Sequence, residues 1–217
     1  MSKSIPLILK DFYDGIRTGF SALMDPVAEF IIRFEISPNI VTTTGFVISI
    51  VSGFFFAIGD YRLGAVFILL SGIFDMLDGK IARGSNRVTR FGALYDSTLD
   101  RYAEILVLSG IAYFFLRSGH LAGVLATILA LAGSIMVSYV RARAEGLGLS
   151  CKVGMMQRPE RVLTIGFTGL VHWYALFVGM IFLAVTANFT ALQRLYHVWA
   201  TENGKKSEIV SDYDKLG

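Results

Sequence analysis

The sequence predicts an all-α membrane protein: six transmembrane helices preceded by an N-terminal amphipathic helix at the interface. Three observations predict it. Hydrophobic residues make up 54% of the 217 and the mean hydropathy is +0.59, beyond the composition of ordinary soluble domains. Apolar runs long enough to cross a bilayer are separated by short polar turns. Basic residues gather on alternate connections, the asymmetry that sets membrane orientation. The net charge of +3 is small, so its distribution matters more than its size, and no nucleic-acid partner is expected. A single cysteine, Cys151, excludes an internal disulfide and a thiolate metal cluster.

Met1 to Glu35 mixes charges with an apolar stripe, Phe20, Leu23, Met24, Val27, Phe30 and Ile31, at helical spacing. Residues 1–36 are therefore expected to lie on the membrane surface, or to pack as a helix on the bundle. Ser37-Pro38-Asn39 opens a first span from Asn39 to Ile58. After the turn Gly59-Asp60-Tyr61-Arg62, a second begins near Leu63 and runs into Arg83. A third runs from about Phe91 to Leu116, and a fourth from Leu121 through Val140 to Glu145. A polar loop, Gly146 to Arg158, leads to Pro159, which suits the first turn of a new helix.

Val162 to Ala191 is almost unbroken apolar sequence. As one helix, roughly thirty residues would be about 45 Å long, too much for an untilted span. A split near His172-Trp173 is expected, giving a short fifth helix and a sixth from Tyr174 to about Trp199. Residues 37–200 thus form the six-helix domain, and 201–217 a polar, mobile cytoplasmic tail.

The basic residues support this topology. Lys3, Lys10, Arg17 and Arg33 precede the first span, Lys80, Arg83, Arg87 and Arg90 follow the second, and Arg141, Arg143, Lys152, Arg158 and Arg161 follow the fourth. Arg194, Lys205, Lys206 and Lys215 follow the last, while the opposite turns hold only Arg62 and Arg117. Six spans with both termini cytoplasmic satisfy the bias, and a single span over Val162 to Ala191 does not.

The chemistry is concentrated between Asp75 and Asp100. Asp75 and Asp78 are three apart, and Asp96 and Asp100 four apart, so each pair shares a helix face. The stretch from Gly84 to Phe91 is polar and turn-prone enough to reverse the chain, bringing four carboxylates together. Such a group repels itself unless cations are present. All-oxygen ligands suit hard divalent ions, Mg²⁺ above all where phosphates share the site, and two such ions form a clamp for phosphoryl transfer. Gly79 and Gly92 leave room for a ligand against the helix backbones, and Arg83 is placed to bind a phosphate. Acids embedded in apolar sequence are costly and usually functional.

Asp75-x-x-Asp78-Gly79-x-x-Ala82-Arg83, eight residues, then Gly92-x-x-x-Asp96-x-x-x-Asp100 resembles the signature of the CDP-alcohol phosphotransferases at every fixed position. The resemblance implies a six-helix membrane enzyme, usually a homodimer, that moves a phosphatidyl or similar group from a CDP-linked lipid to an alcohol and releases CMP. It implies Asp75, Asp78 and Asp96 as metal ligands for Mg²⁺ or Mn²⁺, with Asp100 contributing to a second ion and acting as base on the acceptor hydroxyl. It implies that Gly79, Ala82, Arg83, Thr89 and Gly92 line the CDP site, together with Asp78. Pro38-Asn39-x-Val41-Thr42 is similar to the family's motif at the start of the first span, near the nucleotide.

Ser138 to Glu145, followed by Arg158-Pro159-Glu160-Arg161, is similar to the phosphatidylinositol-phosphate synthases, whose basic trio binds the phosphate of the acceptor. The trio maps onto Arg141, Arg161 and Arg194; the first position is usually Lys there and is Arg here. Independently of any resemblance, all three arginines sit at cytoplasmic helix ends, where a guanidinium binds phosphate bidentately. Arg141 has an alternative partner in Glu145, one turn on, and Arg194 can snorkel to headgroups. The expected substrates are CDP-diacylglycerol and inositol 1-phosphate, with glycerol 3-phosphate the rival acceptor. A divalent-cation transporter is the rival outside enzymes, but the acids cluster at one membrane side and leave no polar path through the other leaflet.

The remaining polar residues carry less. His120, His172 and His197 form no ligand set, Arg101 and Glu104 read as a structural ion pair, and Trp173, Tyr174, Tyr196 and Trp199 suit interfacial belts. Gly and Ala in the third and fourth helices suit close helix packing or a dimer face.

Overall fold

In a computed structural model, which describes residues 24–85 and 87–214 (side chains to 204), the described chain is all helical, with short connections apart from the loop over residues 147–157. Residues 24–33 form α1. They are followed by α2 (Pro38–Ile58), α3 (Tyr61–Gly84), α4 (Arg90–Arg117), α5 (Leu121–Gly146), α6 (Arg158–Val171) and α7 (Trp173–Asp214). Of the expected interfacial segment 1–36, residues 1–23 lie outside the described residues.

Each helix start has a local cause. Pro38 opens α2 where its fixed φ suits the first turn. The hydroxyls of Thr42, Thr43 and Thr44 each donate to the carbonyl four residues back, so three polar side chains are satisfied within the helix. Thr89 precedes α4 and accepts from the Gly92 N–H at 2.9 Å, an N-cap bond. His120 caps α5 in the same way, its Nδ1 accepting from the Gly123 N–H at 3.0 Å. The expected split of the last apolar run occurs at His172, whose backbone is extended and whose Nδ1 accepts from the Tyr174 N–H at 3.3 Å.

Two boundaries differ from the sequence reading. The reversal between α3 and α4 takes only residues 85–89, because each helix runs further into the polar stretch. The last helix does not stop near Trp199 but continues to Asp214, through most of the segment expected as a tail. Residues 201–214 contain one glycine and no proline, so nothing interrupts an already nucleated helix.

The chain divides into two compact units. One holds the residues up to Val47 with Ser71–Asp100, and the other holds Ile48–Leu70 with the residues from Arg101 onward. In the first, Ala28 of α1, Val41 of α2 and Leu77 and Ile81 of α3 form the buried apolar cluster. In the second, the core is built on Phe56, Leu108, Ile111, Phe115, Leu176, Met180 and Leu183, with α5 and α6 packed on α7. Small residues allow the closest approaches there. Asn188 of α7 donates from Nδ2 to the Leu129 carbonyl of α5 at 3.0 Å, where Gly133 makes room for it.

Among the described residues three helices are long and apolar enough to cross a membrane: Pro38–Ile58, Leu121–Gly146 and the Trp173–Gly204 part of α7. α3 and α4, at 24 and 28 residues, have the length but carry the charge clusters. α6 has 14 residues, or about 21 Å of rise, short of a ~30 Å hydrocarbon core. The fold is thus all-helical and that of a membrane protein.

The tightest crossing is between α2 and α4, where a Cβ on Gly110 would lie 2.1 Å from the Gly53 carbonyl oxygen. Backbone cannot move aside as a flexible side chain does. Gly110→Ala is therefore expected to cost about 3 kcal/mol, the upper part of the overpacking range. Thermal unfolding in detergent checks this, with Gly146→Ala, where nothing lies within 4 Å of the added carbon, as the neutral control.

Candidate active site

Asp75 and Asp78 project from α3 and Asp96 from α4, and one carboxylate oxygen from each lies within 4.8 Å of the others. All three belong to the first unit. Asp78 is buried, and among the described residues its Oδ2 has no hydrogen-bond partner. The Thr42 side chain and the Gly79 backbone N–H face the same carboxylate. An unsatisfied buried carboxylate beside two others is unfavourable without a counter-charge. The oxygen-only donor set and the unsatisfied Oδ2 fit a hard divalent cation. Asp100 stands apart: it is half-buried on α4 and does not belong to the three-carboxylate group. Four residues of helix carry it about 6 Å further along the axis.

The residues expected around a nucleotide divide into lining and support. Asn39 and Thr89 meet at Gly92, where an added Cβ would lie 2.9 Å from Thr89 Oγ1 and 3.4 Å from Asn39 Oδ1. Gly92 is thus needed by the α4 cap as well as by any ligand. Gly79 has a similar second role: its missing side chain leaves the space beside the Arg83 guanidinium, whose Nη1 would lie 3.4 Å from a Cβ there. Val41 is buried in the apolar cluster and supports the site from behind, while Pro38 and Ala82 are half-buried. The sequence reading passed over two contacts of this unit. The Tyr95 and Thr43 hydroxyls share a hydrogen bond of 3.0 Å that ties α4 to α2 beside Asp96, and Lys80 pairs with Asp25 of α1. Their only sequence signal is position next to the motif residues.

The second unit holds the three arginines, and the structure treats them differently. Arg161 and Arg194 are each 2% exposed, whereas Arg141 is at the surface, its Nε 2.9 Å from Glu145 Oε1. Arg161 lies within electrostatic range of Arg194, and Arg194 of Arg141. Arg194 donates from Nε to the Val153 carbonyl at 2.8 Å and from Nη1 to the Val137 carbonyl at 2.6 Å. It therefore pins the loop after α5 onto α5 and α7. Gly154 permits this: its φ is +116°, and a Cβ would collide with Thr190 at 2.5 Å. Arg161 donates from Nη1 to the Ser134 carbonyl at 2.8 Å, and its Nε lies 3.1 Å from Glu104 Oε1. Arg101 lies 3.7 Å from the other oxygen of Glu104. Glu104 is thus no simple partner of Arg101, as its i,i+3 spacing suggests, but faces a buried arginine on another helix.

The carboxylate group generates a prediction with two opposite signs. Asp78→Asn removes a buried charge from a repelling set, so it is expected to raise the melting temperature of the metal-free protein. The same substitution is expected to abolish most of the further rise that Mn²⁺ gives the wild type, since that rise measures binding to the folded state. Thermal unfolding in chelator and in Mn²⁺ checks both.

Known proteins resemble this chain in sequence and in fold. The CDP-alcohol phosphatidyltransferase family model matches residues 35–201. An archaetidylinositol phosphate synthase of Methanothermobacter thermautotrophicus is 36% identical over 199 residues, covering 90% of this chain and 98% of that protein. A phosphatidylinositol phosphate synthase of Mycobacterium bovis is 36% identical over 197 residues, covering 85% and 89%. Among solved structures, the Mycobacterium tuberculosis phosphatidylinositol phosphate synthase with CDP-DAG bound superimposes with a TM-score of 0.74 at 35% identity, over 80% of this chain and 92% of that one. The same enzyme in complex with manganese and citrate gives a TM-score of 0.72. The carboxylate motif, the all-helical membrane fold and these matches agree: the chain belongs to the CDP-alcohol phosphatidyltransferase family and is an enzyme of that kind.

Proposed function

We propose that this protein transfers the phosphatidyl group of CDP-diacylglycerol to inositol 1-phosphate, releasing CMP and forming phosphatidylinositol phosphate. The observation that carries the acceptor is the pair of buried arginines, Arg161 and Arg194. Each has its Nε and Nη1 turned to protein partners, and among the described residues no hydrogen bond is made from either Nη2. The cost of burying two guanidinium groups is met if a second anion, besides the donor's diphosphate, is held there. An acceptor that carries its own phosphate supplies that anion, and a plain alcohol does not. Relatives matched nearly end to end carry names that differ in the lipid and agree in inositol phosphate.

Asp75, Asp78 and Asp96 would hold divalent cations, with Asp100 contributing to a second ion. Bound Mg²⁺ or Mn²⁺ would neutralise the diphosphate and stabilise the departing CMP. Arg83 and the residues around Asn39, Thr42, Gly79 and Gly92 would seat the CDP moiety. Asp100 accepts the proton of the acceptor hydroxyl as its oxygen bonds to the β-phosphorus and the bond to CMP breaks. A single in-line displacement inverts the phosphorus. The topology that supports this chemistry has six spans in the cytoplasmic membrane, both termini and the acidic site on the cytoplasmic side, and two copies in a homodimer. The basic residues before α2, at the C-terminal end of α3 and in the turn after it, from the end of α5 to the start of α6, and in the second half of α7 support the orientation.

An acceptor panel tests the reading. With CDP-diacylglycerol and Mg²⁺, CMP release is expected with inositol 1-phosphate and not with free inositol or serine. Release with glycerol 3-phosphate alone would reassign the acceptor, and preference for free inositol would remove the phosphate pocket. Arg161→Ala is expected to raise the acceptor KM by roughly one to two decades, the loss of one charge-assisted contact worth about 1.5–3 kcal/mol. The KM for CDP-diacylglycerol should change little. A chirally labelled β-phosphate should emerge inverted, and a lipid adduct on Asp100 would refute the single displacement.

A further inference from the structure

We infer that Glu104 is a positioning residue for the acceptor, holding the guanidinium of Arg161 at the angle at which it meets the acceptor's phosphate. This deepens the acceptor reading above and rests on it.

The observations lie wholly within the second unit. Glu104 stands on α4 with its side chain 11% exposed, and Arg161 on α6 is 2% exposed. Arg161 is gripped on two edges: the Ser134 carbonyl of α5 takes Nη1 at 2.8 Å, and Glu104 Oε1 faces Nε at 3.1 Å. A guanidinium is planar, so fixing two of its nitrogens fixes where the third points. Arg101 holds the opposite side of Glu104, with Nη1 3.7 Å from Oε2 and a hydrogen bond to the Ser138 hydroxyl of α5. The grip is incomplete. Glu104 Oε2, Arg161 Nε and the Ser134 hydroxyl are all buried, and among the described residues none has a hydrogen-bond partner. Three such atoms in one place are unusual in a folded core. The Glu104–Arg161 contact is a charge pair not yet aligned as a hydrogen bond, and contacts of functional sites commonly tighten only when the substrate arrives.

Charge alone and positioning give opposite signs. Glu104 is a negative group beside a phosphate-binding cation, so by charge alone its removal should strengthen phosphate binding. If Glu104 orients Arg161, its removal weakens binding.

The test uses full-length enzyme in detergent–lipid micelles, with CMP release as readout and CDP-diacylglycerol and inositol 1-phosphate as the varied substrates. Glu104→Gln keeps the shape and removes the charge. Its acceptor KM is expected to rise about tenfold, more than kcat falls, with the KM for CDP-diacylglycerol unchanged. In the Arg161→Ala background the same substitution is expected to have little effect, because the group it positions is gone. An acceptor KM that falls or stays level, or an equal loss in both backgrounds, overturns the inference. A uniform loss of kcat with a lowered melting temperature and unaltered KM values also overturns it, since that is a purely structural role. Should Glu104→Gln fail to fold, Glu104→Asp carries the charge on a shorter arm; it is expected to raise the acceptor KM, and a wild-type KM overturns the inference. If Arg161→Ala itself leaves the acceptor KM untouched, the phosphate-pocket reading has failed, whatever Glu104 does.

Discussion

Ionised groups kept in an apolar chain are the constraint on which the rest of this structure depends. In the first unit three carboxylates stand within 4.8 Å of one another, one of them buried with an unsatisfied oxygen. Their mutual repulsion has to be overcome by the packing of the helices that carry them. Val41, Leu77, Ile81 and Ala28 supply that packing within the same unit. Thr89 caps α4 just before Asp96, and the Tyr95–Thr43 bond ties α4 to α2 beside it. Each contact is modest, about 1 kcal/mol for a cap or a neutral hydrogen bond. Together they fix the directions of the carboxylates, the property a candidate cation site needs.

In the second unit the charges have the other sign and a different solution. Arg161 and Arg194 are surrounded by backbone carbonyls of α5 and its following loop, with Glu104 as the acidic group facing Arg161. Carbonyl dipoles can hold a guanidinium without neutralising it. A site built this way keeps its positive charge for an incoming anion, where a full complement of acidic partners would cancel it. Arg194 has a further duty in pinning the loop at Val153.

The helix boundaries follow the same economy. Few waters can satisfy polar groups at membrane depth, so backbone and hydroxyl groups are satisfied internally. The threonines of α2 bond to their own helix, and Asn188 of α7 bridges to α5. Two histidines, His120 and His172, cap helices with their rings set among Phe115, Trp173 and Phe177.

What the sequence by itself determined is the class, the helix order and the acids of the candidate site. Hydropathy and helical spacing are local properties, so α2 to α5 and the pairing of Asp75 with Asp78 could be read directly, and the length of the last apolar run, with the basic-residue asymmetry in support, called for the break that the structure places at His172. The signature from Asp75 to Asp100 is likewise local, and it named the family before any geometry was in hand. Tertiary structure alone decided which groups meet. That Asp96 joins Asp75 and Asp78 while Asp100 stands a turn away depends on how α3 and α4 pack. That Gly92 serves a cap, that Val41 is core and that Arg141 is surface-paired while Arg161 and Arg194 are buried depends on neighbours distant in sequence. Glu104 shows the reason most plainly. Its i,i+3 spacing from Arg101 is visible in the chain, but its contact with Arg161 is 57 positions away and exists only because α4 and α6 are brought together.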